Sequence, residues 1–377
     1  MKNKQQYQYP WRNNNRFNVL VDGAEYFPSM LEAIKNAQAQ VFLESYLFTS
    51  GNIANDFISA LCEAKKRGVD ILILLDEYGS KGLNEEDKNK LIDSGIALKL
   101  YNPVTFLHLG RSLKRDHRKL LIVDKHVAYI GGAGVTDEFS PDATSHFWHD
   151  LMLEVRGEVI EDLTHSFLEL FHEKHTPSGT THIKNISTLK ARVLISAGTE
   201  KNEIIRTTIT HIRNSKKHVW LTSPYFVSSW KVRRALRFAS KKGVDVRLLF
   251  PGRYSDHKWI SYAIQRYYQR LLKANITIYE FQPRFTHAKI ILCDDWYTLG
   301  SSNLDRWNQF LNLDANIEVY DEQSHQQIKT LFEKDFSKSI KISLEDWTSR
   351  SILQRIKETG VGIVVRYLSY ISHKFKR

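Results

Sequence analysis

Two segments of this chain carry the same spaced set of residues. His117, Lys119 and Asp124 form an H-x-K-x4-D pattern, and His287, Lys289 and Asp294 repeat it. Between lysine and aspartate both segments are apolar and rich in β-branched residues. Both then run on into small residues, Gly131 to Gly134 after the first motif and Gly300 to Asn303 after the second. A duplication of this kind restricts the fold to two pseudo-equivalent halves. It predicts one active site where the halves meet, with two histidines and two lysines facing a phosphate.

The repeat extends beyond the motif. Ala64 to Asp70 (A-K-K-R-G-V-D) matches Ala239 to Asp245 (A-S-K-K-G-V-D), and Leu43 to Phe48 resembles Leu221 to Phe226 more loosely. Each half reads as helix, strand, helix, strand and then the motif hairpin. The spacing of apolar residues predicts helices over 29–39 and 55–67 and strands over 40–48 and 69–75, with Gly68 ending the second helix. In the second half it predicts helices over 203–215 and 231–242 and strands over 219–226 and 244–250. Helices alternating with strands predict an α/β fold of two pseudo-symmetric lobes. Each lobe is expected to hold a mixed, mostly parallel sheet flanked by helices, with the site at the lobe interface. The expected boundaries are a polar segment 1–16, a first lobe 17–175, a linker 176–189, a second lobe 190–346 and a basic amphipathic C-terminal helix 347–377.

Composition is that of an ordinary globular protein, except for a formal net charge of +12. Such a surface favours an anionic partner: nucleic acid, phospholipid head groups or acidic polymers. The two cysteines, Cys62 and Cys293, are too few for a disulfide framework or a thiolate metal site and read as small buried hydrophobes. The opening residues are polar and lack the apolar core of a secretory signal. No segment has the roughly 18 apolar residues of a membrane span. Near the C-terminus, Leu353, Ile356, Val364, Tyr367, Leu368 and Ile371 recur at helical spacing among seven cations and a single Glu358. Two readings stand for this stretch, an interfacial membrane anchor and a helix docked on its own domain. The cations beside anionic head groups favour the anchor.

On a strand, residues two apart share a face, so His117 points with Lys119 and His287 with Lys289. Asp124 and Asp294 fall at the following turns, where they are expected to support the hairpins more than to touch substrate. Two imidazoles and two ammonium groups suit attack on a phosphodiester. One neutral histidine attacks phosphorus, and the other, protonated, gives its proton to the leaving oxygen. The lysines hold the non-bridging oxygens. This chemistry requires neither a metal nor a nucleotide, and no cofactor is expected. Each histidine needs a carboxylate to fix its tautomer. Asp150 and Asp314, each downstream of its own motif, are the candidates for His117 and His287 respectively. His165, His172 and His175 have no acidic pattern that would make them metal ligands.

These paired motifs resemble those of the phospholipase D superfamily. Within it the chain is similar to bacterial cardiolipin synthases of the type lacking N-terminal transmembrane helices. The stretches that carry the narrower likeness lie at Asp76 to Gly79, Pro224 to Val227, Gly300 to Asp305 and Leu311 to Asn316. The likeness spans roughly residues 17 to 335 and implies two phospholipase D-like lobes. It implies that His117, Lys119, Asp124, His287, Lys289 and Asp294 hold the family's catalytic positions and that Ser302 and Asn303 hold phosphate. It implies transfer of a phosphatidyl group between two phosphatidylglycerol molecules through a covalent phosphohistidine, with the first-motif histidine as nucleophile by family practice. The implied partners are anionic phospholipids and a membrane surface, the cytoplasmic face of a bacterial inner membrane, with no nucleic acid. Hydrolysis of phospholipid and cleavage of nucleic acid remain alternatives within the superfamily. The chain departs from the family at Gly134, where an asparagine is usual and Thr136 or backbone amides are the candidate substitutes. It departs again at Asp314, where a glutamate is usual.

Overall fold

The computed structural model describes residues 7–103, 113–142, 147–174, 189–197, 202–305 and 311–350. Nearly all of the expected linker and the amphipathic C-terminal stretch lie outside the described residues. The first half runs β1 (Arg16–Val21), α1 (Gly23–Asn36), β2 (Gln40–Ser45), α2 (Asn52–Lys66), β3 (Asp70–Asp76), α3 (Glu85–Asp93) and β4 (Ala97–Tyr101). It continues with β5 (Arg115–Asp116), β6 (Leu120–Val123), β7 (Val127–Gly131), β8 (Leu151–Arg156) and α4 (Val159–His172). The second half runs β9 (Lys190–Ala197), α5 (Glu203–Asn214), β10 (His218–Thr222), α6 (Trp230–Lys241), β11 (Asp245–Pro251), α7 (Lys258–Gln265) and α8 (Tyr268–Leu272). Then follow β12 (Thr277–Phe281), β13 (Ile290–Cys293), β14 (Trp296–Gly300), β15 (Asn312–Tyr320), α9 (Glu322–Ser337), β16 (Ser339–Ile342) and α10 (Leu344–Thr348).

The helices form where apolar residues recur on one face. In α1, Tyr26, Phe27, Met30 and Ile34 are buried against the sheet while the opposite face stays polar. The repeated A-x-x-x-G-V stretch stops α2 and α6 alike. Gly68 and Gly243 take φ of +92° and +84°, which lets the amides of Val69 and Val244 reach back to the carbonyls of Ala64 and Ala239.

Two sheets result. The first has the order β1-β8-β7-β6-β2-β3-β4, and the second β16-β12-β11-β10-β13-β14-β15-β5, with β9 on the far part of β15. The expectation of mostly parallel sheets is corrected. Parallel pairing between consecutive strands is confined to β2-β3-β4 and β10-β11-β12, and every other pair within the first sheet is antiparallel. The reason lies in the motif hairpins, whose turns at Asp124 and Asp294 are too short for the crossover that a parallel neighbour needs.

The inner faces of the two sheets share one core, in which Phe42, Ile122 and Phe167 join Leu292, Leu299 and Phe332. Helix α4 packs on β9 of the second lobe, and α9 packs on β1 of the first. The polar N-terminal segment is part of this junction. The backbone of Arg12 pairs with Ala191 on β9, while its guanidinium grips Asp162 on α4. At the other end, Trp347 packs 4.6 Å from the Tyr268 ring in the second lobe's outer core. Cys293 is buried as expected, whereas Cys62 is only half-buried.

Candidate active site

A cleft of about 630 Å³ is lined from both lobes, by Tyr46, Leu47, His117, Lys119 and Trp148 on one side and Tyr225, Val227, His287 and Asn303 on the other. Each motif histidine stands just before its hairpin, on a segment stitched to the opposite lobe. Strand β5 pairs with the start of β15, and the His117 amide donates to the Leu313 carbonyl at 2.9 Å. The counterpart is Phe285–His287, where the His149 amide donates to Phe285 and the His287 amide donates to His149 at 2.7 Å.

This stitching decides which carboxylate meets which imidazole. His117 Nδ1 lies 3.0 Å from Asp314 Oδ1, and His287 Nδ1 lies 2.6 Å from Asp150 Oδ2. The expected pairing within each half is therefore corrected. The residue that pairs with each histidine strand immediately precedes the partner aspartate, Leu313 before Asp314 and His149 before Asp150. The carboxylate is thus delivered across the interface. Ser301 adds a hydroxyl bond to Asp314 Oδ1 at 2.8 Å, whereas Asp150 takes its second bond from the Leu151 amide. The equivalent of Ser301 is Gly132, where a Cβ would stand 2.4 Å from Asp150 Oδ2.

Burial and the neighbouring Lys119 push the His117 pKa down to about 4, and burial with Lys289 pushes that of His287 down to about 3. Both rings are neutral near pH 7, so the Nδ1–H faces the carboxylate and Nε2 keeps its lone pair. Burial, with repulsion from Lys289, lowers Lys119 to about 7, and burial lowers Lys289 to about 8. Burial works against ionisation of Asp150, but Lys289 and His287 hold its carboxyl below the usual range. Both lysines donate to the carbonyl of their own motif histidine, and one asymmetry separates the halves: Lys289 Nζ also lies 2.9 Å from Nδ1 and 3.1 Å from Nε2 of His287.

The other expected residues divide. Asn303 lines the cleft with its buried Oδ1 unpaired among the described residues. Ser302 donates its amide to Asn316 Oδ1 and does not line the cleft. Asp124 accepts the amides of Gln38, Ala39 and Gln40, and Asp294 those of Lys216, Lys217 and His218. Both sit at positive φ at the hairpin tips and neither lines the cleft, so they brace the fold and do not join the catalytic set. Thr136 bonds to Thr49 and Glu138 and does not reach the cleft, so it does not replace the missing asparagine. A Cβ at Gly134 would lie 2.6 Å from Leu47 Cβ, which explains the glycine there.

Sequence reasoning missed Asp256, Trp259 and Ile260, which line the cleft from the connection between β11 and β12. The aromatic run of α7, which has no counterpart in the first half, was the available signal. It also missed His149, whose ring is buried between Asp22 (2.7 Å) and Asp335 (3.0 Å).

Comparison with known proteins gives a consistent result. A family described as "Cardiolipin synthase, PLD-like domain" matches residues 30–174 and 208–336. A cardiolipin synthase of Clostridium perfringens is 30% identical over 371 residues, covering 94% of this chain and 77% of that protein. Cardiolipin synthase B of Shigella flexneri is 29% identical, covering 85% of this chain and 80% of that protein. Among solved structures, the phosphatidylserine synthase of Haemophilus influenzae shares the fold with a TM-score of 0.74 at 12% identity, over 95% of this chain and 93% of that one.

Proposed function

Because the chain belongs to the cardiolipin synthase family of PLD-like domains, we propose that it moves a phosphatidyl group from one phosphatidylglycerol to the terminal glycerol hydroxyl of a second, releasing glycerol. The observation that carries the reading is the placement of two neutral, carboxylate-oriented imidazoles and a lysine on one cleft.

His117 Nε2 attacks phosphorus, the bond from phosphorus to the glycerol oxygen breaks, and His287 gives that oxygen its proton. This leaves a phosphatidyl group on His117. The second phosphatidylglycerol then loses its hydroxyl proton to His287 and attacks phosphorus, and the bond to His117 breaks. The roles follow from the asymmetry at the lysines. Lys289 lies against the ring nitrogens of His287 and, with its pKa lowered to about 8, exchanges a proton more readily than a free lysine, so it suits a proton-handling ring, while the His117 lone pair stays open for phosphorus. A bound phosphodiester anion offsets the repulsion among the cations and raises the imidazole pKa values, so His287 acquires the proton it must donate. Lys119, Lys289 and Asn303 steady the non-bridging oxygens. Apolar walls at Leu47, Trp148 and Val227 favour a lipid hydroxyl over water at the second step.

A diacyl substrate requires work at a membrane, which we assign to the cytoplasmic face of a bacterial inner membrane, with the protein peripheral. Among the described residues no helix is long and apolar enough to cross one. The test is to incubate purified protein with phosphatidylglycerol vesicles and identify the products, with His117→Ala as control. Cardiolipin and glycerol are expected. Phosphatidic acid alone would make the protein a hydrolase, and no lipid product would overturn the reading.

A further inference from the structure

Helix α6 divides cleanly into two arcs. Val232, Ala235, Leu236 and Ala239 are buried against the second sheet. On the other side, Trp230, Lys231, Arg234, Arg237, Phe238 and Lys241 are all exposed, and successive 100° steps place them within about a third of the helix circumference. The helix has no acidic residue at all. Trp230 is 57% exposed and Phe238 41%, unusual for large rings on a face otherwise made of cations. The Arg234 guanidinium stands 5.8 Å over the Trp230 ring and the Lys242 ammonium 4.5 Å over Phe238, so charge and aromatic surface are presented together.

This face begins at the edge of the cleft. Val227 and Tyr225 line the cleft, and Trp230, the first residue of α6, follows Val227 by three residues. Val227 packs on Ala263 of α7, whose Trp259 lines the cleft while 47% exposed. We propose that the exposed face of α6 is the surface by which the protein docks on an anionic phospholipid bilayer, setting the cleft mouth against the lipid. The proposal rests on the lipid-substrate reading above. It commits to that occupant for three reasons: the cations complement anionic head groups, exposed tryptophan and phenylalanine suit the boundary between head groups and acyl chains, and the face adjoins the entrance a diacyl substrate must use. The chain's own C-terminal stretch is a poor occupant, because it too is basic.

The test is flotation of the full-length protein with phosphatidylglycerol-containing and with phosphatidylcholine vesicles. Two variants are compared with wild type, Lys231→Gln/Arg234→Gln/Arg237→Gln and Trp230→Ala/Phe238→Ala. Wild type should float with the anionic vesicles only. The charge variant should lose partitioning by on the order of a hundredfold and the aromatic variant by about tenfold. Both should keep wild-type melting and wild-type turnover of detergent-dispersed short-chain phosphatidylglycerol, and whichever variant melts like wild type decides the question. Wild-type flotation by a folded variant overturns the proposal, and if the charge variant instead loses only nucleic-acid binding, the face serves that partner. Should wild type make no cardiolipin in detergent, the chemical reading fails while flotation still reports on docking.

Discussion

His117 and Asp314 meet across the lobe interface, with Nδ1 3.0 Å from Oδ1, and His287 meets Asp150 in the same crossed way. Neither lobe by itself pairs a motif histidine with its carboxylate. The duplicated motif is therefore one machine whose halves exchange carboxylates.

Asp314→Asn and Asp150→Asn should each lower kcat by about a hundredfold or more while changing KM little, because the amide leaves the imidazole in the wrong tautomer without altering its shape. Steady-state kinetics on detergent-dispersed substrate checks this. An unchanged kcat in both would mean that the carboxylates only hold the lobes together.

Asp124→Ala and Asp294→Ala should behave differently. Each removes an acceptor of three backbone amides at a hairpin tip, so each should cost about 1–3 kcal/mol of stability. Turnover by the protein that remains folded should stay near wild type. Chemical denaturation with parallel rate measurements at low temperature separates the two effects.

Much of this was legible in the sequence, and the limits have physical causes. The repeated helix stops at Gly68 and Gly243 and the apolar runs of β3 and β11 are local signals, so those elements stand close to where periodicity puts them. The place of Asp150 and Asp314 near the histidines was also readable, because each sits just after the hairpin. Which histidine each would meet was not, since it depends on backbone pairing between Leu313 and His117 and between His149 and His287, residues far apart in the chain. The antiparallel share of the sheets was missed for a related reason. An apolar strand reads alike in either direction, and only its turn length gives the direction away. His149 was invisible because its partners Asp22 and Asp335 come from opposite lobes.

His149 gives a prediction of its own. Two carboxylates overcome the cost of burial and raise its pKa to about 10, so the ring is charged at neutral pH. A raised folded pKa means that its contribution is fully present below about 6.5 and is lost as pH rises through about 10. His149→Ala should destabilise the protein by about 3–5 kcal/mol at pH 6, because buried Asp335 loses its charged partner while Asp22 keeps Arg284. The loss should shrink towards pH 10 in a series of melting curves.

The buried lysines have the opposite sign. Lys119 titrates near 7, against an ordinary 10.5, so the unfolded chain binds more protons between those values and the residue weakens the fold at and below neutral pH. Lys119→Met should raise the melting temperature at pH 6, with a gain that falls as pH climbs towards 10.5, while turnover collapses. A lower melting temperature at pH 6 would show that the ammonium is well solvated.

The most direct test of two imidazoles acting on one phosphorus is to quench the enzyme during turnover of labelled phosphatidylglycerol and map the label by mass spectrometry. One phosphatidyl group on a His117 ring nitrogen is expected in the wild type, absent in His117→Ala and strongly reduced in His287→Ala, which lacks the acid for the leaving glycerol. Full turnover with no covalent adduct, or an adduct on a residue outside the cleft, would contradict the account.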